Sequence, residues 1–225
     1  PKNLTIFHVT GLGAVDKYGL NHLNHNGLVS KVIGGNYGLQ IPFMKNLIVG
    51  NKIEAYNFPQ GILSQMCRTM ASKQPGIITK VGLNTYMDPR IEGGKMNKKT
   101  KKNLIELIKI GGQEYLFYKA QKPDVAIIRG TSIDNDGYVY MDHEATTRED
   151  LSIAQAVHNN GGIVICQFKK FTKKKYTNPH LAKIPAFLID CYVHDPLQKQ
   201  TYVTKYDKFR SGERSLKKPK LDKIV

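Results

Sequence analysis

The chain has 225 residues, 40% of them hydrophobic, and carries 34 lysines and arginines against 18 aspartates and glutamates, a formal net charge of +16. That length supports one sizeable core or two small ones, and that apolar content argues against a disordered chain. No apolar run is long enough to span a bilayer, and the three cysteines, Cys67, Cys166 and Cys191, are too scattered for a disulfide frame or a zinc knuckle and suit a reducing cytoplasm.

The first predicted element is a strand at 4–9, LTIFHV, only a few residues after Pro1, which implies further structure upstream. Strands follow at 31–34 and 53–58, with helical spacing at 39–49 and 61–72. Residues 88–102 are rich in glycine and lysine without periodicity and read as a long excursion from the domain body. Helical spacing returns at 103–110, before strands at 124–130 and 138–142. Between those two strands DNDG (134–137) reads as a hairpin turn. As a calcium loop it would put His143 where a bidentate glutamate is required, so that reading fails. A helix over 148–160 is well marked, with Thr147 as its cap, Leu151, Ala154 and Val157 on one face, and Gly161 to stop it. Strands at 162–168 and 186–193 complete the pattern. Continuous apolar strands alternating with helices predict an α/β fold: a mostly parallel open sheet flanked by helices.

Several stretches invite chemistry. VTGLGAVDKYGL (9–20) has Asp16 where a dinucleotide fingerprint needs its third glycine. His22 and His25 have HxxH spacing with no third ligand at a typical distance, so no metal is expected. In VIGGNYG (32–38) a strand runs into glycines whose free N–H groups either hold an oxyanion or phosphate, or serve only a tight turn. In NFPQGIL (57–63) a strand ends, Pro59 fixes the chain, and Gln60 is presented where a helix begins, at the end of a strand where open α/β folds bind ligands. Basic clusters at 95–109, 169–175 and 205–223 either attract phosphate groups or form solvated faces.

Five blocks, GLNHLNHNGLVSKVIGGNYG, IEAYNFPQGILSQMCR, PGIITKVGLNTYMDPRIEGGKMN, GGQEYLFYKA and DVAIIRGTSIDNDGYV, occur in the order seen in family I coenzyme A transferases. The chain resembles the single-chain acetate/propionate and acetoacetate type along essentially its whole length. YDKFRSGE (206–213) is similar to the family's segment before its second half. The resemblance implies ping-pong transfer of coenzyme A between a short-chain acyl-CoA and a carboxylic acid (acetate, propionate or a 3-keto acid), through a glutamyl-CoA thioester. Covalent division of one hard exchange into easier steps is its physical logic.

In the family the nucleophile lies in a Ser-Glu-Asn-Gly-type motif of the second half. The glutamates here are Glu54, Glu92, Glu106, Glu114, Glu144, Glu149 and Glu213, and none precedes Asn-Gly. The resemblance therefore implies no catalytic residue in this chain and inactivity on its own. It implies an amino-terminal, alpha-type domain over 1–204 that lacks its glycine-rich first segment, and a basic linker over 205–225 toward a missing catalytic half. It further implies a substrate and CoA pocket lined by Gly34, Gly35, Gln60, Gly61 and Gly82, and a cleft loop with Arg90, Glu92, Gly93 and Gly94. Coenzyme A is then a co-substrate, with no permanently bound cofactor and no metal. The partners implied are a catalytic carboxy-terminal half or beta-type subunit, acyl-CoA and short carboxylic acids, in a cytoplasmic homo-oligomer without membrane or nucleic acid. Two alternatives stand beside this reading: a basic nucleic-acid-binding α/β module, and an inactive remnant of a truncated gene.

Overall fold

A computed structural model describes residues 1–14, 18–172 and 181–215. Asp16, Lys173 to Lys175 and the end of the basic tail beyond Ser215 lie outside the described residues. The chain forms two compact units, Pro1–Pro123 and Asp124–Val225.

In the first unit, β1 (Leu4–His8), β4 (Val29–Gly34) and β5 (Glu54–Asn57) form a parallel sheet in the order β1-β4-β5. The short strands β2 (Gly13–Ala14) and β3 (Tyr18–Gly19) pair antiparallel before a 3-10 turn, Leu20–Leu23. The expected helix over 39–49 is one turn of α1 (Ile41–Phe43) continuing as a π-helical turn, Met44–Val49. Its Phe43, Leu47 and Ile48 are fully buried with Val32 and Ala55 of the sheet. Each such side chain contributes roughly 1.5–3 kcal/mol through the apolar surface it removes from water.

Helix α2 (Gln60–Ala71) begins straight after Pro59, whose fixed φ suits a helix entry. Ile62, Leu63, Met66, Cys67 and Met70 recur at helical spacing and are all buried, so one stripe sets which face turns inward. Beyond it, β6 (Gly76–Thr79), β7 (Ile105–Ile110) and β8 (Gln113–Lys119) make an antiparallel sheet in the order β6-β8-β7.

The helix expected over 103–110 is thus corrected to strand β7. Its apolar residues at 104, 105, 107, 108 and 110 fit a helix stripe, but Gly111 and Gly112, both at positive φ (57° and 77°), close a two-residue hairpin onto β8. The I′ geometry those angles permit favours strand pairing over helix propagation.

In the second unit, β9 (Val125–Ile133), β10 (Val139–Tyr140), β11 (Ile163–Phe171), β12 (Ala182–Ile184) and β13 (Cys191–His194) form a sheet in the order β12-β10-β9-β11-β13. β9, β11 and β13 run parallel, while β10 is antiparallel to both its neighbours. The DNDG turn joins β9 to β10 as expected, with Gly137 at φ 83° and the Asp134 carboxylate accepting from the Asp136 and Tyr138 N–H groups.

Helix α3 (Asp150–Asn159) packs Ala154 and Val157 onto Ala126, Ile128, Val164 and Cys166. Its cap is corrected from Thr147 to Glu149, which makes no side-chain capping bond, and Gly161 ends it at φ 76°. The strand expected over 186–193 is corrected to a 3-10 turn, Ala186–Leu188, followed by β13. Pro185 fixes the entry to that turn, and the Asp190 carboxylate accepts the Val164 N–H, so pairing with β11 starts only at Cys191. The α/β class with parallel sheets holds.

Candidate functional site

The parallel strands of the first unit end in register, with His8, Gly34 and Asn57 side by side. Carboxyl ends of parallel strands are where open α/β sheets present ligand sites, and here one wall is built there. A Cβ on Gly34 would lie 2.2 Å from Nε2 of His8, so the strand passes the ring only because residue 34 has no side chain.

The His8 ring is 3% exposed and meets Tyr37 edge-on with centroids 5.2 Å apart. Its Nδ1 donates to the Thr10 carbonyl at 2.6 Å, because a carbonyl only accepts; that tautomer leaves Nε2 as a buried acceptor without a partner among the described residues. Burial lowers the His8 pKa by penalising the cation, and the Thr10 hydrogen bond opposes this only in part.

Gly35 continues the wall. A Cβ there would meet the Val9 carbonyl at 2.5 Å and Cγ of Gln60 at 2.6 Å. Gln60 is exposed at the first position of α2, and its Nε2 donates to the Thr10 hydroxyl at 3.2 Å. Gly61 is exposed with nothing within 4 Å of a Cβ. Gly34, Gly35, Gln60 and Gly61 therefore come together around the ends of β1, β4 and β5, with a neutral amide at a helix amino terminus. Such an amide and the adjacent free N–H groups can orient a carboxylate or meet a developing oxyanion. Gly82 stands apart; at φ 98° its nearest neighbours are the Tyr118 hydroxyl and Met87.

The DPRIEGGK loop is ordered by a single buried carboxylate. Asp88 accepts from Nε and Nη2 of Arg90 at 2.9 and 2.7 Å, and from the backbone N–H groups of Asn84 and Arg90. The Arg90 guanidinium holds the Asp88 carboxyl well below the usual carboxylate range, and Asp88 in turn holds Arg90 firmly protonated. Nη1 of Arg90 reaches Glu114 on β8 at 3.0 Å, tying the loop to the antiparallel sheet. Arg90 is thus engaged on its own loop and on Glu114.

Gly93 and Gly94 are buried at φ 63° and 72°, and a Cβ on Gly94 would lie 2.8 Å from the Phe58 ring. The Gly94 carbonyl accepts from Asn57 N–H and from the Tyr86 hydroxyl, both at 2.9 Å, so the loop is sewn to the last residue of β5. Burial pushes the Tyr86 phenol up to about 12. Glu92 is exposed and makes no side-chain hydrogen bond or ion pair among the described residues.

Sequence reasoning missed His8, Thr10 and Asn57 as the frame of this wall, and Asp88 as the anchor of the loop. The Asp-Pro-Arg spacing is the one signal that pointed toward the Asp88–Arg90 pair.

The family model described as Coenzyme A transferase matches residues 1–194. The acetate CoA-transferase YdiF of Escherichia coli is 45% identical over 217 residues, which are 96% of this chain and 41% of that relative. The alpha subunit of the acetoacetyl-CoA:acetate/butyrate CoA transferase of Clostridium acetobutylicum is 30% identical over 200 residues, 87% of this chain and 79% of the subunit. The solved acyl-CoA transferase YdiF of Escherichia coli, a thioester complex with CoA, superimposes with a TM-score of 0.92 at 44% identity, covering 97% of this chain and 45% of that one. The chain thus spans about two fifths of the length of the curated acetate CoA-transferase it matches.

Proposed function

This chain belongs to the coenzyme A transferase family, and on that premise we propose that it supplies one wall of a thioester-exchange cleft. The nucleophilic glutamate comes from a second half or a beta-type subunit, and the chain alone is inactive. The reaction is transfer of coenzyme A between a short-chain acyl-CoA and a free carboxylic acid. Residues 1–204 act as the alpha-type part and 205–225 lead toward that catalytic half.

The observation that carries this reading is Gln60 standing exposed over Gly34 and Gly35 at the parallel strand ends. Among the described residues, the groups gathered at this wall are neutral amide and backbone donors. In each half-reaction a carboxylate oxygen attacks a thioester carbonyl and expels the CoA thiolate, leaving an anhydride; the thiolate then attacks the anhydride's other carbonyl and expels a carboxylate, and in both steps the attacked carbonyl oxygen passes through an oxyanion. Fixed neutral donors at the oxyanion lower that barrier without needing to change protonation. The chain's own part is to hold the acid and the carbonyl in line and to offer those donors.

The test is reconstitution. The chain, co-expressed with a polypeptide carrying a Glu-Asn-Gly motif, is assayed for exchange between acetyl-CoA and a short carboxylic acid. Exchange by the assembled pair and none by the chain alone is the expected result. An assembled, folded pair without exchange overturns the reading.

A further inference from the structure

Gln60 is held at both ends. Its stem lies against Gly35, where an added Cβ would come within 2.6 Å of Cγ. Its head donates from Nε2 to the Thr10 hydroxyl at 3.2 Å. Yet the side chain stands at an exposed position, the first of α2. An exposed glutamine ordinarily samples many rotamers, and fixing one of them costs conformational entropy that a single solvent-facing hydrogen bond offsets only in part. The hold therefore contributes little to stability. What it fixes is direction.

Thr10 is suited to that work. Its β-branched side chain is stiff about χ1, so its hydroxyl is only as mobile as the backbone beneath it. That backbone is pinned. The Thr10 carbonyl accepts from Nδ1 of His8 at 2.6 Å, and the His8 ring is buried, set edge-on to Tyr37 with Gly34 alongside. A rigid path thus runs from the core through His8 and Thr10 to the Gln60 amide. After donating to Thr10 the amide keeps a second N–H. The adjoining space is open, since nothing lies within 4 Å of a Cβ on Gly61.

We infer that Thr10, seated by His8, is a positioning residue: it aims the second N–H of Gln60 at the oxygen that becomes negative during thioester exchange. The inference rests on the proposed transferase function. Thr10 acts through Gln60 rather than on the substrate, and what it supplies is a donor direction set before the charge develops. Errors of aim are costly, since misplacing a catalytic group by about 1 Å loses on the order of 100-fold in rate.

Thr10→Val removes the hydroxyl and keeps the branched shape, whereas Thr10→Ser keeps the hydroxyl. In the reconstituted pair, Thr10→Val lowers kcat about tenfold with KM and melting temperature unchanged, and Thr10→Ser regains most of that loss. Thr10→Val combined with Gln60→Ala is no slower than Gln60→Ala alone, because the two residues act as one unit. In nuclear magnetic resonance spectra of the isotope-labelled chain, the Gln60 side-chain amide is restrained on the fast timescale in the parent and in Thr10→Ser, and free in Thr10→Val. A parent-like kcat in Thr10→Val, losses that multiply in the double variant, or a Gln60 amide as mobile in the parent as in Thr10→Val overturns the inference. The spectra need no turnover: an assembled pair without exchange sinks the transferase reading, and the hold on the amide is then decided by the spectra alone.

Discussion

Gly34→Ala probes the wall where it is tightest. The added Cβ would lie 2.2 Å from Nε2, 2.3 Å from Cε1 and 2.8 Å from Cδ2 of His8, whereas ordinary contact starts at 3.4 Å. The ring must retreat by about 1.2 Å, the difference between those first and last distances, or the strand must part. Neither is easy. The ring is held by its bond to Thr10 on one side and by Tyr37 on the other, and β4 is paired on both edges. Overpacking in a rigid site costs about 1–3 kcal/mol, and this site belongs at the upper end, near 3. At about 2–4 °C per kcal/mol for a chain of this size, the melting transition of the first unit falls by roughly 6–12 °C.

The assay is thermal unfolding followed by circular dichroism, with His8→Ala and the double variant alongside. Removing the ring opens the space the new methyl needs. The double variant is therefore more stable than the sum of the two single losses by about 1–2 kcal/mol. A Gly34→Ala protein melting within about 2 °C of the parent, or strictly additive single effects, would refute the steric account.

Gln60→Ala, at an exposed position, leaves the melting temperature unchanged and lowers kcat of the reconstituted enzyme about 100-fold, read in the acetyl-CoA exchange assay; an unchanged kcat removes Gln60 from the machinery. Gly61→Ala meets nothing within 4 Å and replaces a poor helix former, so denaturant unfolding finds it more stable by up to about 1 kcal/mol. Asp88→Asn destabilises the first unit by about 2 kcal/mol at neutral pH, because the Arg90 donors lose their anion. The folded carboxyl titrates below its unfolded value, so this contribution is complete above the usual aspartate range and fades as the pH falls through it; denaturant midpoints of parent and variant converge on acidification. Of the three thiols, exposed Cys191 reacts first with an aromatic disulfide reagent. Buried Cys67 and Cys166 react only on unfolding, Cys166 because burial also pushes its thiol up to about 12.

The sequence made much of the parallel framework legible for a physical reason. β1, β4, β5, β9 and β11 are buried enough that their apolar character survives in short windows, and the spacing of Ile62, Leu63, Met66 and Met70 admits only one inward face. Residues 103–110 failed because their spacing satisfies two periods at once. The deciding information sat just downstream in Gly111 and Gly112, and in the partner strand that closes on them. The 186–193 stretch failed similarly, since Pro185 and the Asp190 bond delay a strand that the apolar run starts too early. At the site, the glycines and Gln60 were readable because a strand ending in Gly-Gly and a strand ending in Pro-Gln-Gly both mark carboxyl ends of strands. The basic clusters were readable only as charge. Which lysines stay unpaired depends on cross-strand register, such as Lys31 opposite Glu54, and no local window contains that.

The glycines of this wall do different work, and the difference says where a ligand can touch it. Gly34, Gly35 and Gly94 are filled against: a Cβ on them would meet His8, Gln60 and Phe58 respectively, so their lack of side chain is used up by packing inside the protein. Gly61 is not, since the space in front of it is open. Beside it stands Gln60, exposed and, among the described residues, held by one side-chain bond to Thr10. Two of the packed glycines therefore set the height of the wall, and the start of α2 is its working edge. That division predicts opposite signatures for substitutions at neighbouring points of one wall: loss of stability at 34 and 35, and loss of function with the stability intact at 60.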